Sequence, residues 1–207
     1  MSDTKPADTE TSAARATRPS REISDPQAMR ALAHPLRLAI LDAMRTEGEL
    51  TASRAAELLH QSPGNMSWHL QTLAKYGFIV EADGAKGRKR PWKIAPVINN
   101  FNPTEAIPES FDAIEHLAIT VLDRSVEQLQ QWWLEHKDFG DAWFNASFIN
   151  EKTTFLTSAE LAEIRDQMDQ LLHRYDERSD PAQRPAEALP VHLVTFAHPM
   201  PRTKPSD

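Results

Sequence analysis

A chain of 207 residues, 40% hydrophobic and 26% charged, is long enough for a small domain plus a second element of similar size, each with its own core. It has no cysteine, which excludes disulfides, thiolate metal sites and thiol redox chemistry. No apolar run reaches the roughly 18 residues of a membrane helix, and the first twenty residues lack a secretory core. A cytoplasmic protein without a membrane partner is therefore expected. The formal net charge of -7 opposes a nucleic-acid partner only as an average. Residues 51–95 hold seven Lys or Arg against three acids, whereas residues 96–207 hold nine against nineteen. A basic module on an acidic body suits a protein that touches phosphate with one face.

Residues 1–22 mix Thr, Ser, Ala, Pro and both charge signs without apolar periodicity, which predicts a disordered tail from which Arg15, Arg18 and Arg21 could reach DNA. A domain is expected over residues 23–96. Asp25 before Pro26 starts a short helix, because the carboxylate can accept from a free N–H and proline needs no partner at the first helical position. Pro35 opens a second helix, in which Leu36, Ile40, Leu41 and Met44 recur at helical spacing before Gly48 ends it. Thr51 to Leu59 reads as a third. Ser62 and Pro63 repeat the cap-plus-proline signal for a fourth, which stops at Gly77. Only His60 and Gln61 separate the last two, the spacing of a helix-turn-helix. FIVEA and RPWKIA then read as strands around the charged loop DGAKGRK, a hairpin wing.

In the fourth helix Met66, Leu70 and Leu73 share one side and are expected to pack inward. Gly64, Trp68, Gln71 and Lys75 point the opposite way, flanked by Asn65 and Ser67. Asn and Gln can pair bidentately with adenine, while Ser and Lys can bond phosphate. Ser62 and Gly64 leave the helix start open to a phosphate. Lys86, Arg88, Lys89 and Arg90 in the wing can follow the DNA backbone. A polar outer face and a charged turn also occur on helices and hairpins with no partner; a tryptophan on a solvated face does not fit that plain reading.

The runs ALAHPLRLAILDAM, TASRAAELL and SPGNMSWHLQTLAKYGFI, followed by the basic hairpin, resemble the winged-helix domain of ArsR/SmtB-type bacterial repressors over about a third of the chain. The resemblance implies a homodimeric repressor or regulator that binds double-stranded DNA through the fourth helix. Metal-sensing members of that family carry a cysteine pair where this chain has Leu50, Thr51 and Ala52.

Prolines and asparagines in residues 97–108 predict a linker, followed by a long helix at 109–138 with two apolar stripes, one for its own domain and one for a twin. Phe111, Ile114, Ala118, Val121 and Leu122 are the expected dimer contacts. Residues 139–200 read as a strand-helix-strand element: a strand-like aromatic run at 143–156, a helix capped by Thr157 with Glu160, and a last strand PVHLVTFAH. Its aromatic residues Trp143, Phe144, Phe148 and Phe196 could line a pocket or close a core, and a core is expected. Residues 201–207 form a tail. The fold class predicted is thus mainly α with small β elements.

Eight histidines invite a metal, but Asp112 and His116 on one helical face lack converging ligands, and His136 lies several turns away. His34 and His69 read as packed residues, and His192 and His198 fall on one face of the last strand. No cofactor and no metal site are expected, and any effector is expected to be a small organic molecule. No glycine-rich phosphate loop, Gly-x-Ser-x-Gly elbow or His-Glu-x-x-His helix marks an enzyme. A winged helix that binds protein is the other alternative, against which four bases in the wing weigh.

Overall fold

The computed structural model describes residues 20–82, 90–101 and 108–200. The winged-helix half follows from its local signals. Strand β1 (Ser20–Glu22) leads to α1 (Pro26–Leu32), α2 (Pro35–Glu47), α3 (Ala52–Leu58) and α4 (Pro63–Lys75). Each helix start is fixed by a side chain that accepts an otherwise unpaired N–H. Asp25 accepts from Gln27 at 2.8 Å, Thr51 from Arg54 at 3.2 Å and Ser62 from Asn65 at 3.2 Å. His34 caps α2 with its ring, Nδ1 accepting from the Leu36 N–H at 3.1 Å.

Strands β2 (Ile79–Glu81) and β3 (Trp92–Ile94) pair antiparallel with Val80 opposite Lys93, and a bridge from Leu50 to Trp92 ties the hairpin to the end of α2. Strand β4 (Ile98–Asn100) pairs parallel with β1. Residues 20–22 and 98–100 are therefore sheet, not the last part of a tail and the first part of a linker. The strands are three residues long and far apart in the chain, so no local pattern announces them. Arg21 locks the junction: its guanidinium donates to Asn99 Oδ1 at 2.6 Å and to the Tyr76 carbonyl at 2.9 Å. It packs so closely that a Cβ on Gly77, whose φ of +69° already favours glycine, would meet Arg21 at 2.8 Å. Arg21 is thus a structural tie at the end of α4 and not a free DNA contact.

Met29, Ile40, Leu50, Met66, Leu70, Leu73 and Ile79 are fully buried and form the core. Burying each such side chain contributes about 1.5 to 3 kcal/mol, enough together to hold the helices. The long α5 (Pro108–Phe139) adds Ala113 and Leu117 to that core, with Ile114 and Val121 packed at its edge. Further along, Arg124 and Gln128 both donate to Asp42 Oδ2 of α2, at 2.5 and 2.9 Å.

After α5 come α6 (Asp141–Ala146), α7 (Ser158–His173) and two short 3-10 turns, Asp176–Ser179 and Pro181–Gln183. The expected strand-helix-strand is corrected here. The aromatic run at 143–156 starts as helix and continues without regular structure, and residues 190–198 form no strand. An apolar run is a strand only if it pairs with another, and among the described residues these segments pair with none. The helix of that element is present, with the predicted reciprocal cap of Thr157 and Glu160.

Candidate nucleic-acid interface

Helix α4 is held from behind and free in front. Met66, Leu70 and Leu73 on its inner side are wholly buried, whereas Ser62, Gly64, Asn65, Trp68, Gln71 and Lys75 are exposed and Ser67 is half-buried. The turn before it is tight: Gln61 N–H donates to the Ala56 carbonyl at 2.9 Å, and His60 takes a φ of 52°. The exposed polar side chains are only loosely engaged. Asn65 donates to Gln61 at 3.2 Å and Gln71 to Ser67 Oγ at 3.4 Å, contacts that a better acceptor can displace. Lys75 lies 5.1 Å from the Tyr76 ring at the C-terminal end.

Trp68 is 57% exposed yet fixed. Its ring meets His69 edge-on at 4.7 Å, and the Arg37 guanidinium sits 5.9 Å from its centroid. Arg37 is only 6% exposed and donates to the Arg30 carbonyl at 3.2 Å. The periodicity of α2 gave no sign of it, because the pairing of a buried guanidinium with an indole from another helix is not local. Behind Trp68, the His34 and His69 rings lie 4.8 Å apart. Burial first, then the charges of His34 and Arg37, push the His69 imidazole down to about 4. His34 is lowered by the same burial and by Arg37, which suits an Nδ1 that must keep its lone pair to cap α2. Both rings are therefore neutral near pH 7, packed as the sequence suggests.

In the wing, Arg90 bonds Glu81 across the base of the hairpin at 2.7 Å. Lys86, Arg88 and Lys89 lie outside the described residues, as do Arg15 and Arg18. Of the expected dimer contacts, Phe111, Ala118 and Leu122 face outward on α5. Ile114 and Val121 instead pack toward their own core. The aromatic set expected to close a core does not do so within the chain. Phe144 rests 5.1 Å from His136 and 6.3 Å from Trp133, while Phe148 and Phe196 are about 70% exposed. Among the described residues neither core nor pocket forms there, because no second layer covers these side chains.

Among the described residues, no three His, Cys, Asp or Glu side chains converge as metal ligands, and no helix is long and apolar enough to cross a membrane. No curated protein matches the chain. Two solved structures are similar to it, each 23% identical with a TM-score of 0.30. One is the homodimeric winged helix-turn-helix DNA-binding domain of Mb0332 from Mycobacterium bovis, a possible ArsR-family transcriptional regulator; the alignment covers 53% of this chain and 81% of that one. The other is Rv0081 of M. tuberculosis, with 49% and 88% covered. Overlap at that level leaves the fold to rest on the chain's own geometry. The family model for a helix-turn-helix domain matches residues 32–82, the segment that runs from the end of α1 to the first strand of the hairpin. With α3 and α4 joined by a tight turn and the outer face of α4 free, this segment is similar to a helix-turn-helix domain in sequence and has the geometry of one.

Proposed function

We propose that the protein is a cytoplasmic transcriptional regulator of the ArsR type, a repressor that reads a pseudo-palindromic operator in double-stranded DNA as a homodimer. It is a binding protein, not an enzyme. One observation carries the reading: α4 is anchored by three fully buried side chains while Asn65, Trp68, Gln71 and Lys75 stand exposed on its other side. A helix so held can enter a major groove without rearrangement. Asn65 and Gln71 read base edges, and Trp68, clamped by Arg37, presents an apolar face to a thymine methyl. Ser62, Gly64, Ser67 and Lys75 meet the phosphates beside the helix, and Lys86, Arg88, Lys89 and Arg90 follow the backbone from the wing. The outward side of α5, with Phe111, Ala118 and Leu122, joins the two copies. Binding needs no metal, and any effector is a small organic molecule.

The test separates reading from gripping. Gln71→Ala and Asn65→Ala should each cost about 1 to 3 kcal/mol on a selected operator and little on random duplex. Arg88→Ala and Lys89→Ala should weaken both duplexes alike and flatten the slope of log K against log salt by about 0.9 for each lost contact. Arg90→Ala should do less, since that guanidinium is already paired with Glu81. Equal losses on operator and random DNA for the α4 variants would refute base reading.

A further inference from the structure

The segment after α5 is well formed and uncovered. Neither α6 nor α7 buries a single residue, and no residue from 139 to 200 is buried. Yet α7 has a complete reciprocal cap: the Thr157 N–H donates to Glu160 at 2.7 Å, and the Glu160 N–H donates back to Thr157 Oγ1 at 3.3 Å. Its Ile164, Met168, Leu171 and Leu172, with Tyr175 just past its end, form an exposed apolar stripe. A 16-residue helix of this kind is marginal alone, so the stripe needs a surface to rest on. The arm also returns to where it began. It leaves the far end of α5, with Phe144 against Trp133, and comes back to the middle of α5, where His192 Nε2 meets Ser125 Oγ at 3.2 Å. Between these anchors the arm describes a loop that displays exposed apolar side chains.

The same chain carries a matching ridge. Phe111, Ala118, Leu122, Leu129 and Trp133 fall seven, four, seven and four residues apart, which aligns them along α5 on the side away from its own core. Resting on the dimer reading above, we propose that residues 140–200 form a strap that closes over the α5 ridge of a second copy of this chain, each arm embracing the other subunit's helix.

Extent, charge and symmetry select that occupant. Ridge and arm together expose twenty large apolar side chains per chain, four on the ridge and sixteen on the arm, comparable to the roughly 20 to 30 residues that each partner contributes to a standard interface. The arm holds ten acids against five Lys or Arg, which repels nucleic acid. A different protein would have to cover both the ridge and the arm. A two-fold relation covers both at once with surfaces already present.

The absence of cysteine makes the test clean. Two differently tagged full-length copies are co-expressed, one with Leu122→Cys on the ridge and one with Leu171→Cys on α7, and treated with a short bismaleimide. The expected product joins the two tags. A single copy carrying both cysteines, assembled with excess cysteine-free chain, should lose its cross-link; a cross-link that persists within that copy overturns the strap. Sedimentation gives an independent readout. Met168→Asp with Leu171→Asp should raise the dimer dissociation constant at least tenfold while leaving the winged-helix fold intact, and an unchanged constant overturns the strap. If Leu122→Glu dissociates the dimer but the α7 variant does not, dimerisation through α5 stands and the strap falls. A wild-type chain that sediments as a monomer at tens of micromolar overturns the strap and the dimer reading together, and leaves base reading by α4 to its own test.

Discussion

The two halves of the molecule are built with the same local devices and end in opposite states. Helix α4 starts on Ser62 and α7 on Thr157, each cap bonding an N–H three residues on. Both carry an apolar stripe. In α4 the stripe is buried to the last atom; in α7 it stands in solvent. Capping decides where a helix begins, and burial decides whether it persists, so a capped but uncovered helix marks a surface whose other half belongs to a second molecule.

Core substitution should break the comparison most strongly. Leu70→Ala opens a cavity at the centre of the winged helix and should cost about 2 to 5 kcal/mol in urea unfolding at any protein concentration. Leu171→Ala should act only through association, so its effect should appear as a midpoint that falls with dilution more steeply than in wild type. A concentration-independent loss in Leu171→Ala would mean that α7 is covered by its own chain.

A smaller effect follows from His69. Its folded-state value of about 4 lies below the ordinary 6.5, so the unfolded chain binds more protons between those values and stability falls as pH falls through that window. Unfolding of the winged helix at pH 5 should therefore be easier than at pH 7 by about 1 to 2 kcal/mol, with the contribution fully present above the unfolded value. His69→Gln should flatten that slope. Desolvation lowers His34 too, so part of the slope should remain. A slope that His69→Gln leaves untouched would place the protonation elsewhere.

The smallest expected difference sharpens the contrast between the two caps. Ser62→Ala should cost about 1 kcal/mol of global stability, because α4 unfolds only with the core around it. Thr157→Ala should leave the winged-helix midpoint in place and instead raise amide exchange in the first turn of α7. Equal shifts of a single global midpoint would show that the halves unfold as one unit.

What the sequence made legible follows the same division. Asp25 before Pro26, Ser62 before Pro63 and the glycines after α2 and α4 are local signals, and the helices stand where they point. The outer face of α4 was legible because its inner face is regular. Three features were not. The β1–β4 pair joins positions 78 residues apart, as the Arg21–Asn99 bond does, and short strands carry no periodicity. Arg37 carried no signal, because its burial and its approach to Trp68 of another helix depend on tertiary packing. The aromatic run at 143–156 looked like a strand because apolar density alone does not separate a strand from a short helix followed by irregular chain.

The account rests most on α4 reading bases, and selection from a random duplex pool by the full-length protein, followed by sequencing, tests that directly. Wild type should enrich an inverted repeat with half-site centres about 10 base pairs apart, and Gln71→Ala should relax the preference at the same position of both halves while the rest of the motif persists. Enrichment of no sequence by wild type, or an identical motif from Gln71→Ala and Asn65→Ala, would contradict it.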